Sequence, residues 1–358
     1  MTLYTSLLKP VLFRMDPETV HNRVIRLGSF LGKSSLTQRM IRTFFCYTDK
    51  ALETDVAGIH FDNPIGLAAG FDKNAQLYNI LPDIGFGFAE LGSITGEPCQ
   101  GNAKPRLFRV PNERSIIVNY GLCNLGCAAL SQHLKHTPFR IPIGFSIART
   151  NRLFPSIHKS IQDYRIAYLH MHPLGAYTTI NISCPNNVDG QLFSEPANLA
   201  QLLKTIHREK HLKPVFLKIK PDYTPTQLRE IVALAEHYDW ITGFVLTNLT
   251  RNRDGLHTTR RELDVLSLTG GLSGLPVQHK STETIKIVRT LTDKILIGCG
   301  GVFTGKDAYE KLKSGASLIQ LVTALIYEGP GVISRINKEL AAILHHKGFA
   351  SVRELTSP

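Results

Sequence analysis

Eight short apolar runs, most followed by a polar or glycine-rich turn and then a helical stretch, set the tightest limit on how this chain folds. They are 64–69, 86–94, 141–147, 177–183, 215–219, 241–246, 295–298 and 318–322. Several lack polar–apolar alternation and are β-branched, the pattern of parallel strands covered on both faces. Helical stretches at 198–210, 226–237, 282–291 and 305–314 lie between the later runs. Eight strands alternating with helices predict an α/β fold, a (β/α)8 TIM barrel. A doubly wound open sheet competes, but no GxGxxG opens the first helix. A length of 358 residues with 43% hydrophobic content suits one barrel with a large core.

In a barrel, function collects where strands end and the next loops begin. Those ends read Ala69-Gly70-Phe71-Asp72-Lys73, then Ser93, Ser146, Asn181 with Cys184, Lys218, Thr247-Asn248, Gly300-Gly301 and Thr323. Polar groups and glycines at the same end of all eight runs predict a single site. Gly298 to Gly301, then Gly315 to Gln320 and Thr323, have the layout of a phosphate pocket after strands 7 and 8. Lys73 and Lys218 emerge from the barrel interior, where an unpaired ammonium is costly and meets an anion. Beside a flavin such a lysine stabilises the negative charge of reduction; the structural alternative is a salt bridge to Asp72, Glu90 or Asp222. Cys184 sits between Asn181 and the Asn186–Asn187 pair. It is either a packed cysteine in an Asn-rich turn or a group that moves a proton.

Six scattered cysteines without CxxC spacing fit a reducing cytoplasm, and Cys123 and Cys127 have no neighbours that would complete a zinc site. Lys9 and Pro10 break any signal-peptide core, and no run approaches the roughly 18 apolar residues that span a bilayer. The expectation is therefore a protein on the cytoplasmic side. Its net charge of +12 has no aromatic-interleaved basic cluster behind it, which argues against nucleic acid. The imbalance is strongest at the start, where Lys9, Arg14, Arg23, Arg26, Lys33, Arg39 and Arg42 face only Asp16 and Glu18. Interleaved with leucines and valines, they predict a helix pair on an anionic membrane surface; the alternative is a hairpin packed on the main domain with a solvated basic face. Asp16-Pro17-Glu18 supplies a helix cap. The polar stretch 47–54 separates an N-terminal helical segment, 1–48, from the barrel, 49–358.

The motifs Leu12-Phe13-Arg14-Met15-Asp16-Pro17-Glu18 with His21, Gly66-Leu67-Ala68-Ala69-Gly70-Phe71-Asp72-Lys73 and Lys104-Pro105-Arg106-Leu107-Phe108-Arg109 stand in the first third. Asn181-Ile182-Ser183-Cys184-Pro185-Asn186, Thr269-Gly270-Gly271-Leu272-Ser273-Gly274 and Gly315-Ala316-Ser317-Leu318-Ile319-Gln320 follow. Over 12–330 the chain resembles the dihydroorotate dehydrogenase family, in its class 2, quinone-linked, membrane-associated branch. The resemblance implies FMN on the barrel top, its phosphate held by Gly301 and Thr323. Ala69, Gly70, Lys73, Ser93, Ser146, Asn181, Lys218, Thr247, Gly274 and Val322 would complete the flavin site. It implies dihydroorotate held by Lys73, Asn119, Asn181, Asn186 and Asn248, with Cys184 taking the C5 proton and orotate as product. A membrane quinone would enter past His21 and Arg109. The enzyme would sit peripherally on the cytoplasmic face of the inner membrane, attached by its N-terminal helices.

The chain also departs from that family's pattern. Class 2 enzymes carry serine where Cys184 stands, and class 1 enzymes carry cysteine. Val118 takes an orotate-binding asparagine's place, with Asn119 shifted by one. Leu249 replaces a hydroxyl residue, Ser146 a flavin-contacting asparagine, Ala148-Arg149-Thr150 a Gly-Lys-Asn turn, and Val322 a tyrosine. Each lost hydrogen bond costs roughly 1–3 kcal/mol, so the departures leave open another dihydropyrimidine substrate, a soluble acceptor, or a weakly active membrane-bound flavoprotein.

Overall fold

A computed structural model describes residues 3–188, 192–256 and 268–356. A π-helical turn, Tyr4–Leu8, leads into α1 (Lys9–Leu12), α2 (Pro17–Leu31) and α3 (Ser35–Phe45). As its sequence predicts, α2 starts at the Asp16 cap, whose carboxylate accepts from the Thr19 N–H at 2.7 Å, with Pro17 in the first turn. A hairpin, β1 (Thr54–Val56) and β2 (Ile59–Phe61), precedes β3 (Ile65–Leu67) and β4 (Phe88–Ile94). Next come β5 (Leu107–Val110), β6 (Ser115–Val118), β7 (Ile143–Ile147), β8 (Tyr177–Asn181), β9 (Val215–Ile219) and β10 (Ile241–Leu246). The last strands are β11 (Gly271–Leu272), β12 (Ile295–Cys299) and β13 (Leu318–Leu321). Strands β3, β4, β7, β8, β9, β10, β12 and β13 close into a parallel barrel. All eight expected runs are its staves.

The helices after α3 are α4 (Cys127–Leu134), α5 (Ile157–Met171), α6 (Pro196–Ile206), α7 (Pro225–Glu236), α8 (Gln278–Arg289), α9 (Gly305–Lys313), α10 (Thr323–Glu328), α11 (Gly331–His346) and α12 (Arg353–Thr356). Two differ visibly from expectation. Helix α8 starts at Gln278 rather than 282, because the turn Leu275–Val277 feeds straight into it. Helix α6 stops at Ile206 rather than 210, and His211 beyond it stacks on Trp240, ring centroids 4.3 Å apart. Tertiary packing there outweighs local propensity.

Inside the barrel, large and small residues alternate between neighbouring strands. Phe88 pairs with Gly66 across β3–β4, and Tyr177 with Gly144 across β7–β8. A β-carbon on either glycine would overlap the facing ring, so only glycine lets the aromatic fill the bore. Val56 and Phe61 of the hairpin join Phe88, Tyr177, Phe216, Val245, Ile297 and Leu318 in an apolar plug at the N-terminal end. One layer up the filling turns polar. The buried Glu90 carboxylate accepts from Thr179 Oγ1 at 2.8 Å, Gln320 Nε2 at 2.9 Å and Lys218 Nζ at 3.5 Å. Lys218 thus has one of its three candidate salt-bridge partners while still facing the mouth.

The runs of apolar residues did not announce the antiparallel sheet β5–β6–β11, which stands over the barrel mouth. Helix α2 docks beside it through Glu18, whose buried carboxylate accepts from Arg106 Nε at 3.2 Å and Nη2 at 2.8 Å. Elsewhere α2 and α3 leave Phe30, Leu36, Met40 and Phe44 exposed. Among the described residues, no helix is long and apolar enough to cross a membrane.

Candidate active site

Two cavities meet at the C-terminal end of the barrel. The first encloses about 180 Å³ over the strand ends. The second, about 340 Å³, lies between α2, α3 and the barrel. His21, Phe71, Leu107, Ile116 and Ile326 line both, so they form the shared wall.

Ala69, Gly70, Lys73, Ser93, Asn181, Cys184, Asn186, Lys218, Thr247, Asn248, Gly274, Gly301, Val322 and Thr323 all line the first cavity. Ser146 lies behind its wall, fully buried, with its hydroxyl 2.7 Å from Ser93 Oγ. Asn119 is turned away. The alternation of β6 continues past the strand and presents Ile116, Val118 and Tyr120 to the cavity, while Asn119 Oδ1 accepts from Asn102 Nδ2 at 2.9 Å. The shifted asparagine therefore does not stand in for Val118. Arg109 lines the second cavity only. Its guanidinium donates to the Met15 carbonyl at 2.9 Å and lies 4.5 Å from the Phe13 ring centre.

A relay of amides and hydroxyls crosses the floor of the first cavity. Asn248 Nδ2 donates to Asn181 Oδ1 at 3.0 Å and to Ser183 Oγ at 3.1 Å, and Asn181 Nδ2 donates to Ser93 Oγ at 3.0 Å. Each side chain fixes the orientation of the next. Asn186 is also buried at the cavity, and its Oδ1 has no partner among the described residues. A buried amide oxygen left this way costs free energy until a ligand donor meets it. Cys184 sits among these amides at the end of the β8 loop. Burial pushes its thiol up to about 11, opposed by the Asn186 backbone N–H and the Arg251 and Arg149 guanidiniums. Arg251 donates to the Pro185 carbonyl, beside Cys184.

On the opposite wall, Lys73 Nζ lies 3.3 Å from His21 Nε2 and 3.9 Å from the Tyr120 ring centre. Burial lowers the Lys73 amine to about 8, and it lowers His21 to about 3 with the Lys73 charge adding to the effect. His21 is therefore neutral at physiological pH. Nothing in the sequence placed Tyr120 here; the usable signal was the spacing of two along Ile116, Val118 and Tyr120. At the far end, Gly300 (φ +125°) and Gly301 (φ +68°) bring backbone to the cavity beside the start of α10 at Thr323. Thr323 Oγ1 lies 2.8 Å from Ser273 Oγ, and Gln278 Nε2 donates to the Gly301 carbonyl at 2.8 Å. This glycine cradle, with a lysine in mid-floor, fits a phosphorylated planar cofactor. No cluster of three His, Cys, Asp or Glu side chains suited to a metal ion occurs among the described residues.

A buried thiol, aligned amides and a glycine turn converge on one barrel mouth, and relatives that share this (β/α)8 frame are oxidoreductases. The family model for dihydroorotate dehydrogenase matches residues 51–344. A dihydroorotate dehydrogenase (quinone) of Trichodesmium erythraeum is 35% identical over 373 residues, covering 99% of this chain and 98% of its own. That of Christiangramia forsetii is 38% identical over 344 residues, covering 94% and 98%. The crystal structure of DHODH from Eimeria tenella in complex with ferulenol superimposes with a TM-score of 0.83 at 27% identity, covering 98% of both chains. The chain belongs to the dihydroorotate dehydrogenase family, whose members are flavin-dependent oxidoreductases.

Proposed function

We propose that this chain oxidises dihydroorotate to orotate in pyrimidine biosynthesis and passes the electrons to a membrane quinone, with FMN as its flavin. The observation that carries the reading is the convergence on one cavity of the Asn248–Asn181–Ser93 relay, the Cys184 thiol and the Asn186 Oδ1, which has no partner among the described residues. A dihydropyrimidine ring offers paired donors and acceptors, which neutral amides read without adding charge. Bound FMN supplies the hydride acceptor. Gly301 and Thr323 would hold its phosphate, and the Lys218 ammonium would stabilise the negative charge that the reduced flavin carries. Cys184 accepts the proton from C5 as hydride leaves C6, and the amide floor fixes the ring so that both bonds break in an aligned geometry. Lys73 pairs with the substrate carboxylate, which restores full charge to an amine weakened by burial.

The second cavity is the acceptor's route. His21 forms its inner wall, Arg109 lines it, and the half-exposed Val24 and Leu27 stand at its rim. Residues 1–48 serve as the access segment. Their exposed apolar side chains and excess of Lys and Arg hold the enzyme peripherally on an anionic membrane, on the cytoplasmic face of the inner membrane.

Val118 and Leu249 both line the first cavity. They favour a second reading in which the flavin chemistry is kept and the ring is a less polar dihydropyrimidine. Anaerobic mixing of the yellow protein with dihydroorotate separates the two. Rapid loss of flavin absorbance, restored by a quinone, is expected; no bleaching by dihydroorotate overturns the first reading, and reversal by fumarate or NAD in place of quinone overturns the acceptor.

A further inference from the structure

Lys311, on α9, is completely buried and has no part in the chemistry above. Its ammonium donates to Ser281 Oγ at 2.9 Å, Thr282 Oγ1 at 3.0 Å and the Gln278 carbonyl at 3.4 Å. All three acceptors are neutral. Asp307, one turn earlier on α9, acts on it only through space, because its carboxylate is held by the N–H groups of Phe303 and Thr304 at 2.9 and 2.8 Å. Burial pulls the amine down to about 8, with the nearby Cys299 and Asp307 opposing it, so at neutral pH it remains charged with no bonded counter-ion among the described residues.

The surroundings sharpen the anomaly. All three acceptors belong to the first two turns of α8, where the helix presents the positive end of its dipole. An ammonium and a helix N-terminus repel each other unless an anion lies near both. Both back onto the glycine turn that lines the first cavity. Gln278 holds the Gly301 carbonyl, and a β-carbon on Gly300 would come within 3.4 Å of Ser281 Oγ. The anion expected at that turn is the phosphate of the flavin.

We propose that Lys311 is a positioning residue whose charge, relayed through the start of α8, compensates the cofactor phosphate at the Gly300–Gly301 turn and so selects FMN over the unphosphorylated flavin. The inference rests on the phosphate placement proposed above, and its test separates the two. Flavin-free protein is titrated with FMN and with riboflavin, which keeps the ring and ribityl chain but lacks the phosphate, following the quenching of flavin fluorescence. Wild-type protein that binds both equally overturns the phosphate placement itself. With a wild-type preference in hand, Lys311→Met is expected to weaken FMN about ten- to a hundredfold and to leave riboflavin within about twofold. Equal losses for the two flavins, or no loss for FMN, overturn the role of Lys311. Lys311→Gln keeps a donor toward Ser281 and is scored by the same ratio, so a misfolded methionine variant leaves the proposal fully testable.

Discussion

In the role proposed for Cys184 the base is the thiolate, and with the thiol pushed up to about 11 this form is a small minority near neutrality. Flavin reduction by dihydroorotate is therefore expected to accelerate by up to about tenfold per pH unit through the neutral and alkaline range, levelling only near the thiol's own value. Stopped-flow reduction of wild-type and Cys184→Ser enzyme checks this; a rising limb that the substitution leaves in place removes the thiol from its role. Lys73 gives the opposite sign. Its amine is charged below about 8, so the KM for a carboxylate substrate is expected to rise with pH above that value, and in Lys73→Met to be high and flat. Most of these residues were legible because they end barrel strands, where chain order alone brings them together. Asn119 was not. Whether it or Tyr120 faces inward depends on the register of β6 against β5, which pairs Val118 with Leu107, and a single-residue slip reverses every side chain.

Helix α2 shows what a sequence does and does not disclose about an element. Its start is written locally in Asp16-Pro17-Glu18. Its attachment is not, because the Glu18–Arg106 pair joins residues 88 apart. Removing one member of a buried, hydrogen-bonded ion pair costs about 3–5 kcal/mol. Glu18→Gln is accordingly expected to lower the Tm measured by calorimetry. Because α2 also walls the second cavity, the same variant should slow flavin reoxidation by quinone more than flavin reduction by dihydroorotate. The small sheet β5–β6–β11 escaped for a related reason. Its strands are two to four residues long, and their pairing partner at 271–272 lies more than 150 residues downstream.

Over the whole molecule, the excess of positive charge and the exposed apolar side chains coincide on the first 45 residues. Phe30 is 69% exposed and Phe44 76%, which is costly in water and favourable in a lipid interface. Sedimentation with vesicles containing anionic lipid should pull the protein down and release it as salt rises. Phe30→Asp with Phe44→Asp should weaken vesicle binding by about tenfold or more per residue, while reduction of the flavin by dihydroorotate in solution stays unchanged. Overall charge was readable from composition; its pairing with an apolar face needed the fold, since α2 buries only part of its apolar stripe and α3 fully buries none of its residues.

The barrel bore carries a consequence for descent. Because Gly66 and Phe88 occupy the same volume from adjacent strands, as do Gly144 and Tyr177, each pair behaves as one inherited character rather than two. A relative that has acquired a side chain at the position of Gly66 is expected to carry a much smaller residue at that of Phe88. The order of change is then constrained: the aromatic shrinks first, leaving a cavity, because a side chain gained first at the glycine would overlap the ring.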